Sequence, residues 1–407
     1  MRAEHYAVTA DTVFDGAGTR QNYAVIVEGA HIGAVVPRRD VPAGLTVHTL
    51  PEGAWLAPGF IDVQVNGGGD VLFNDSPTPE GIAKIVAAHR RFGTTALLPT
   101  LITDSDEKMR AARDAVAAAM ATQPGVLGVH FEGPFLSPEK CGVHDPRLMR
   151  APNAWHRELL TSLPNGVTLV TLAPERVPPG FIRSLAESGV RVSLGHSMAT
   201  YEETRAAIAE GLTGFTHLFN AMRPLAAREP GPIAAAIETP GCWHGLIVDG
   251  VHVAPAMLRL ALRGAGTPML VTDAMPCVGG TRESFSLYGR TITTKDGRCL
   301  TENGTLAGSV LTMAGAVKNC VQLLGVPLTE ALRFASRSPA EFLGLGDSLG
   351  RLAPGYRADM VAFDPADIRV LSTWVAGKST SECPPPFSPA QGRGKHLLRK
   401  RGRRRAA

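Results

Sequence analysis

Gly125-Val126-Leu127-Gly128-Val129-His130-Phe131-Glu132 is an apolar run that stops on a carboxylate, and it decides the fold because the same construction returns along the chain. Residues 190–195 run into His196, 213–216 into His217, 246–251 into His252, and 269–272 into Asp273. Further runs of this kind occupy 95–99 and 167–172. Helical periodicity fills the gaps at 79–92, 104–122, 200–210 and 254–263, and Thr200-Tyr201-Glu202-Glu203 has the pattern of a capping box that starts a helix. Near-continuous apolar strands alternating with helices predict an α/β fold with a parallel sheet covered on both faces. Seven or eight such units in about 290 residues suit a TIM-type (β/α)8 barrel better than an open doubly wound sheet. The latter's phosphate loop is missing, since no GxGxxG follows an early strand and Gly67-Gly68-Gly69 alone is a weak signal.

Outside this region the texture changes. Tyr6-Ala7-Val8-Thr9, residues 23–27 and residues 32–36 are short β-branched runs separated by Gly, Asp and Asn. Residues 358–364 and 370–375 are similar, so the two chain ends are expected to pair into one small β-sandwich domain. The predicted organisation is therefore a β-sandwich from 1–55 and 350–378, a barrel over 56–349, and a tail over 379–407. That tail opens on Ser379-Thr380-Ser381 and Pro384-Pro385-Pro386, has no apolar period, and is expected to be disordered.

The charge balance depends on the tail. The 407 residues include 41 Lys and Arg against 37 Asp and Glu, but eight of the basic residues lie between Arg393 and Arg405. Without them the remainder carries four more acidic than basic groups, so a pI near 8.8 says little about what the folded part binds. A nucleic-acid partner has only this tail in its favour, without aromatic interleaving or a recognised reading module. Glu4 and Asp11 interrupt any apolar leader, no stretch reaches membrane-spanning length, and six cysteines are scattered singly. These features lead to the expectation of a cytoplasmic protein with reduced thiols and no membrane contact.

In a parallel barrel the working residues sit at the C-terminal ends of strands. Glu132, His196, His217, His252 and Asp273 all occupy such ends, so they are expected around one mouth. A histidine in that position is ordinarily a packed residue satisfied by the backbone, and it is the recurrence that favours a site. Two histidines and a carboxylate make a three-ligand set for a catalytic zinc that leaves a fourth position for water. Asp273 would then serve as general base. His130, on the face of Glu132, is read as a packed neighbour.

The segments Pro58-Gly59-Phe60-Ile61-Asp62-Val63-Gln64-Val65-Asn66-Gly67, His130-Phe131-Glu132-Gly133-Pro134, Leu194-Gly195-His196-Ser197, Thr216-His217-Leu218-Phe219-Asn220-Ala221-Met222, Asp249-Gly250-Val251-His252 and Val271-Thr272-Asp273-Ala274-Met275 resemble the amidohydrolase superfamily. Within it they are similar to the N-acetylglucosamine-6-phosphate deacetylase family, and the resemblance covers about residues 5–376. Most of the superfamily opens the barrel with His-x-His; here Gln64 and Asn66 hold that spacing, and neutral amides are poor zinc ligands.

The resemblance implies a single divalent metal on Glu132, His196 and His217, with zinc first and iron, cobalt or manganese accepted by the same donors. It implies Asp273 as general base and acid, and Gln64 and Asn66 beside the site. Arg228 and His252 would hold a 6-phosphate, with Asp249 a further substrate contact; Gly142, His144, Leu306, Ala307 and Gly308 would surround the sugar, and Asn220 and Ala221 would supply polar contacts beside the metal. Read alone, Leu306-Ala307-Gly308 is simply the entry to an apolar helix. The implied partner is a phosphorylated amino sugar, and the implied assembly a homodimer or tetramer.

Overall fold

A computed structural model describes residues 5–380. Eight parallel strands follow one another in chain order: Phe60–Val65, Thr94–Ile102, Gly128–Glu132, Val167–Leu172, Arg191–Leu194, Gly214–Phe215, Trp243–Leu246 and Thr267–Leu270. The ring closes just beyond the last strand. Asp273 N–H donates to the Gln64 carbonyl and Asn66 N–H to the Ala274 carbonyl, each at 3.0 Å. A helix crosses between each successive pair, from Pro79–Arg90 to Pro255–Ala261, and Met313–Leu324 follows the eighth strand. This is the TIM-type barrel that the alternation predicts.

The burial explains the sequence texture. Phe60–Val65, Thr94–Ile102 and Gly128–Glu132 are buried at every position, because helices cover their outer face and side chains fill the barrel. The covering helices bury one stripe only, as with Ile82, Ile85, Val86 and His89 of Pro79–Arg90. Thr200 and Glu203 form the expected reciprocal cap, which starts Tyr201–Ala209 immediately after the fifth strand.

Strand contact in the ring is close enough to test. A Cβ on Gly128 would fall 1.8 Å from the Val167 carbonyl oxygen of the neighbouring strand. Backbone cannot yield as a flexible side chain can, so Gly128→Ala is expected to destabilise the protein by about 3 kcal/mol or more. A denaturation midpoint equal to that of the wild type would show that the pair separates freely.

The chain ends build a second body. One path of strands runs Lys378–Thr380, Arg369–Val375, Met360–Asp364, Trp55–Pro58, His5–Phe14, Thr19–Glu28, His31–Pro37, and Thr46–Thr49 branches from it by pairing with His5–Phe14. The N- and C-terminal parts meet where Trp55–Pro58 runs antiparallel to Met360–Asp364. Trp374 from one end of the path shares a core with Val25 and Val27 near the other, so the sheet folds over itself in the manner of a sandwich.

One element goes beyond the sequence reading. Between Asp273 and Met313–Leu324 lies a three-stranded antiparallel sheet, Ser284–Leu287, Arg290–Lys295 and Arg298–Thr301. Its turns, Tyr288-Gly289 and Asp296-Gly297, have positive φ at both residues, as two-residue hairpins require. Leu287, Ile292 and Cys299 pack against Leu72, Ile102, Met275 and Ala307, which leans this sheet over the strand ends. The helix after it starts only at Met313, capped by Thr312, so Leu306-Ala307-Gly308 is not a helix entry. The expectation of disorder for the tail, including Arg393 to Arg405, lies outside the described residues apart from Ser379 and Thr380, which the structure places in Lys378–Thr380. Among the described residues no helix is long and apolar enough to cross a membrane.

Candidate active site

The strand ends converge as the barrel requires. Glu132 is the last residue of the third strand, and His196 and His217 lie two residues beyond the fifth and sixth. His196, His217 and Asp273 all have positive φ, at 48°, 34° and 53°. Non-glycine residues adopt that conformation at a cost of about 1 kcal/mol or more. The surrounding hydrogen bonds hold them there, turning each side chain off its strand and into the mouth.

His196 Nε2 and His217 Nε2 stand 3.0 and 2.9 Å from Glu132 Oε1 and 3.1 Å from each other. All three residues are buried, and among the described residues they form the one group of its kind able to hold a metal ion. The donor chemistry fits a divalent cation. His196 Nδ1 donates to the Lys140 carbonyl at 2.7 Å, so a cation would be met by the inward-facing Nε2 once that nitrogen gives up its proton. Burial works to raise the Glu132 carboxyl, yet hydrogen bonds from His196 and His217 and their charge hold it well below the usual range. For His217, burial works to lower the pKa and Glu132 outweighs it.

Asp273 stands beside this group. Gln64 Nε2 donates to Glu132 Oε2 and to Asp273 Oδ1, each at 3.2 Å, and Asn66 Nδ2 donates to the same Asp273 oxygen at 2.7 Å. One carboxylate oxygen is thus tied twice while Oδ2 is left to the cavity. Burial, followed by the Glu132 charge, pushes Asp273 up to about 6, a value suited to proton transfer near neutrality.

The cavity above has a volume of about 360 Å³, within the range of small-molecule sites. Gly142, His144, Asn220, Ala221, His252, Leu306 and Gly308 line it with the metal group, Asn66 and Asp273. Thr103 N–H donates to His144 Nδ1, which leaves the proton on Nε2. Burial followed by the His196 charge pushes His144 down to about 3, so it is a neutral donor. Asp249 stands behind the wall and accepts from His252 Nδ1 at 2.6 Å, setting that ring. Ala307 is buried behind Leu306 and Gly308, held to the Cys299 carbonyl.

Arg228 is not brought in: it is exposed, does not line the cavity, and has no hydrogen bond or ion pair among the described residues. His130 hydrogen-bonds Thr100 and Thr171 inside the barrel and is no ligand of the group. Thr103, which orients His144, escaped the sequence reading although it ends the apolar run of the second strand by the same rule. Gly304 and Thr305, also in the wall, belong to the unforeseen insertion.

Comparison with known proteins matches residues 55–383 to a profile described as Amidohydrolase family and residues 5–56 to one described as NagA composite domain. The chain is 46% identical over 328 residues to an N-acetylgalactosamine-6-phosphate deacetylase of Shewanella sp. (strain ANA-3), covering 79% of this chain and 82% of that one. It is 35% identical over 378 residues to an N-acetylglucosamine-6-phosphate deacetylase of Haemophilus influenzae, covering 92% and 98%. A crystal structure of N-acetylglucosamine-6-phosphate deacetylase from Pasteurella multocida superposes with a TM-score of 0.89 at 37% identity, covering 93% and 100%.

Proposed function

The chain belongs to the amidohydrolase family, and we propose that it hydrolyses N-acetylglucosamine 6-phosphate to glucosamine 6-phosphate and acetate. The observation that carries this reading is the pairing of a buried Glu132–His196–His217 group with Asp273 through one shared amide, Gln64. Two imidazole nitrogens and a carboxylate suit zinc. Bound there, the cation supplies Lewis-acid polarisation of the acetamide carbonyl and makes water a stronger acid.

The remaining work falls to the chain's own residues. Asp273 Oδ2 takes a proton from the attacking water and returns it to the nitrogen as the carbon–nitrogen bond breaks. His144, neutral with its proton on Nε2, donates to a sugar oxygen. His252, its ring held by Asp249, faces the phosphate. Arg228 stays outside this cavity, so in this reading its guanidinium fork would meet the phosphate bound by a neighbouring subunit.

The 46% relative favours a second reading, in which the acetamido sugar is the galacto epimer. Acetate release from both 6-phosphates and from unphosphorylated N-acetylglucosamine separates the possibilities. The expected result is turnover of at least one phosphate ester and a loss of about tenfold or more in kcat/KM without the phosphate. Equal rates on the unphosphorylated sugar would remove the anion site from this account.

A further inference from the structure

Asn66 does two things at once, and only one of them has a partner. Its Nδ2 donates to Asp273 Oδ1 at 2.7 Å, while Oδ1 is buried and meets no donor among the described residues. The amide cannot be turned round, because carboxylate oxygens only accept. Asn66 is 2% exposed, and an acceptor buried without a donor is costly unless a ligand supplies one.

Gln64 differs in place and in satisfaction. It lies deeper in the barrel, among His130, Ser193 and Thr216, and its amide nitrogen serves Glu132 and Asp273. Asn66, one pleat nearer the mouth on the same face, lines the cavity. The amide that carries the unpartnered oxygen is therefore part of the cavity wall beside Asp273.

Resting on the deacetylase reading above, we infer that Asn66 Oδ1 accepts the acetamido N–H of the substrate. Holding that hydrogen fixes the side on which the nitrogen lone pair appears once water has added to the carbonyl carbon. Asp273 is tied to the same Asn66 through Oδ1, so its Oδ2 carries the proton to that lone pair. The carbon–nitrogen bond then breaks, its electron pair stays on nitrogen, and amine and acetate result. An ester in place of the amide presents lone pairs to Asn66 Oδ1 and loses this contact. Asn66 is thus a specificity-determining residue for an amide.

The test compares kcat/KM for the acetamido sugar 6-phosphate that the wild type hydrolyses with that for its 2-O-acetyl counterpart, on the same preparations and with metal content measured. Asn66→Ala is expected to lower the amide-to-ester ratio about tenfold or more. Because a ratio is read, partial misfolding cancels. Asn66→Asp retains an acceptor and loses the donor, so both rates should fall while the ratio stays within about threefold of wild type. Equal losses on amide and ester in Asn66→Ala would overturn the inference and leave Asn66 as a support for Asp273 or for water. A wild type inert on the amide would instead end the deacetylase reading, and this inference with it.

Discussion

Asp273→Asn is expected to cut acetate release by about 10²- to 10⁴-fold while the protein keeps its full complement of metal. The substitution is close to isosteric, and its remaining oxygen can still accept from Gln64 and Asn66, which now share Asp273 Oδ1. The ligand group is untouched, because Glu132, His196 and His217 hydrogen-bond one another and not Asp273. What disappears is Oδ2, the basic atom turned to the cavity. Metal analysis and single-turnover acetate release on one sample check both halves, and wild-type rates at full occupancy would end the base assignment.

Glu132→Gln should act on the opposite half. The substitution removes the one negative charge of the ligand group and sets an amide nitrogen against His196 Nε2, His217 Nε2 or Gln64 Nε2. Loss of a residue that merely orients a ligand weakens metal binding about 10- to 100-fold, so loss of a ligand should exceed about 100-fold. Activity should fall with it and return in part at high metal concentration. Metal at about 100 times its dissociation constant stabilises the folded protein by roughly 2.7 kcal/mol. A chelator should therefore lower the melting temperature of the wild type and leave that of Glu132→Gln nearly unchanged. A variant that titrates metal as tightly as the wild type would show that the cation lies elsewhere.

The barrel was legible because its strands are buried on both faces and read as apolar runs, and the site because a polar residue that ends such a run must lie at the mouth. Glu132, His196, His217 and Asp273 were found on that rule. The first strand obeys it poorly. Phe60–Val65 carries Asp62 and Gln64 inside a fully buried stretch. Asp62 is tolerated because Thr272 and the Gln64 N–H hydrogen-bond it, against a burial that pushes its pKa up to about 7. The part of that compensation supplied by Thr272 comes from just beyond the eighth strand and leaves no local trace. The insertion over the mouth is different, for Asp296-Gly297 is a hairpin signal in plain view, flanked by short alternating strands. Arg228 shows the limit of spacing along a chain, which places a residue on a loop without saying which way that loop faces.

The closure of the ring also has a meaning in time. The three proposed ligands lie at or just beyond the ends of the third, fifth and sixth strands, whereas Asp273 follows the eighth and leans on Gln64 and Asn66 at the end of the first. As the chain leaves the ribosome, every proposed donor for a cation is thus made before the proposed proton carrier. The residues proposed to hold the metal are complete in sequence before Asp273, which joins them only at the last joint of the ring, where the eighth strand meets the first.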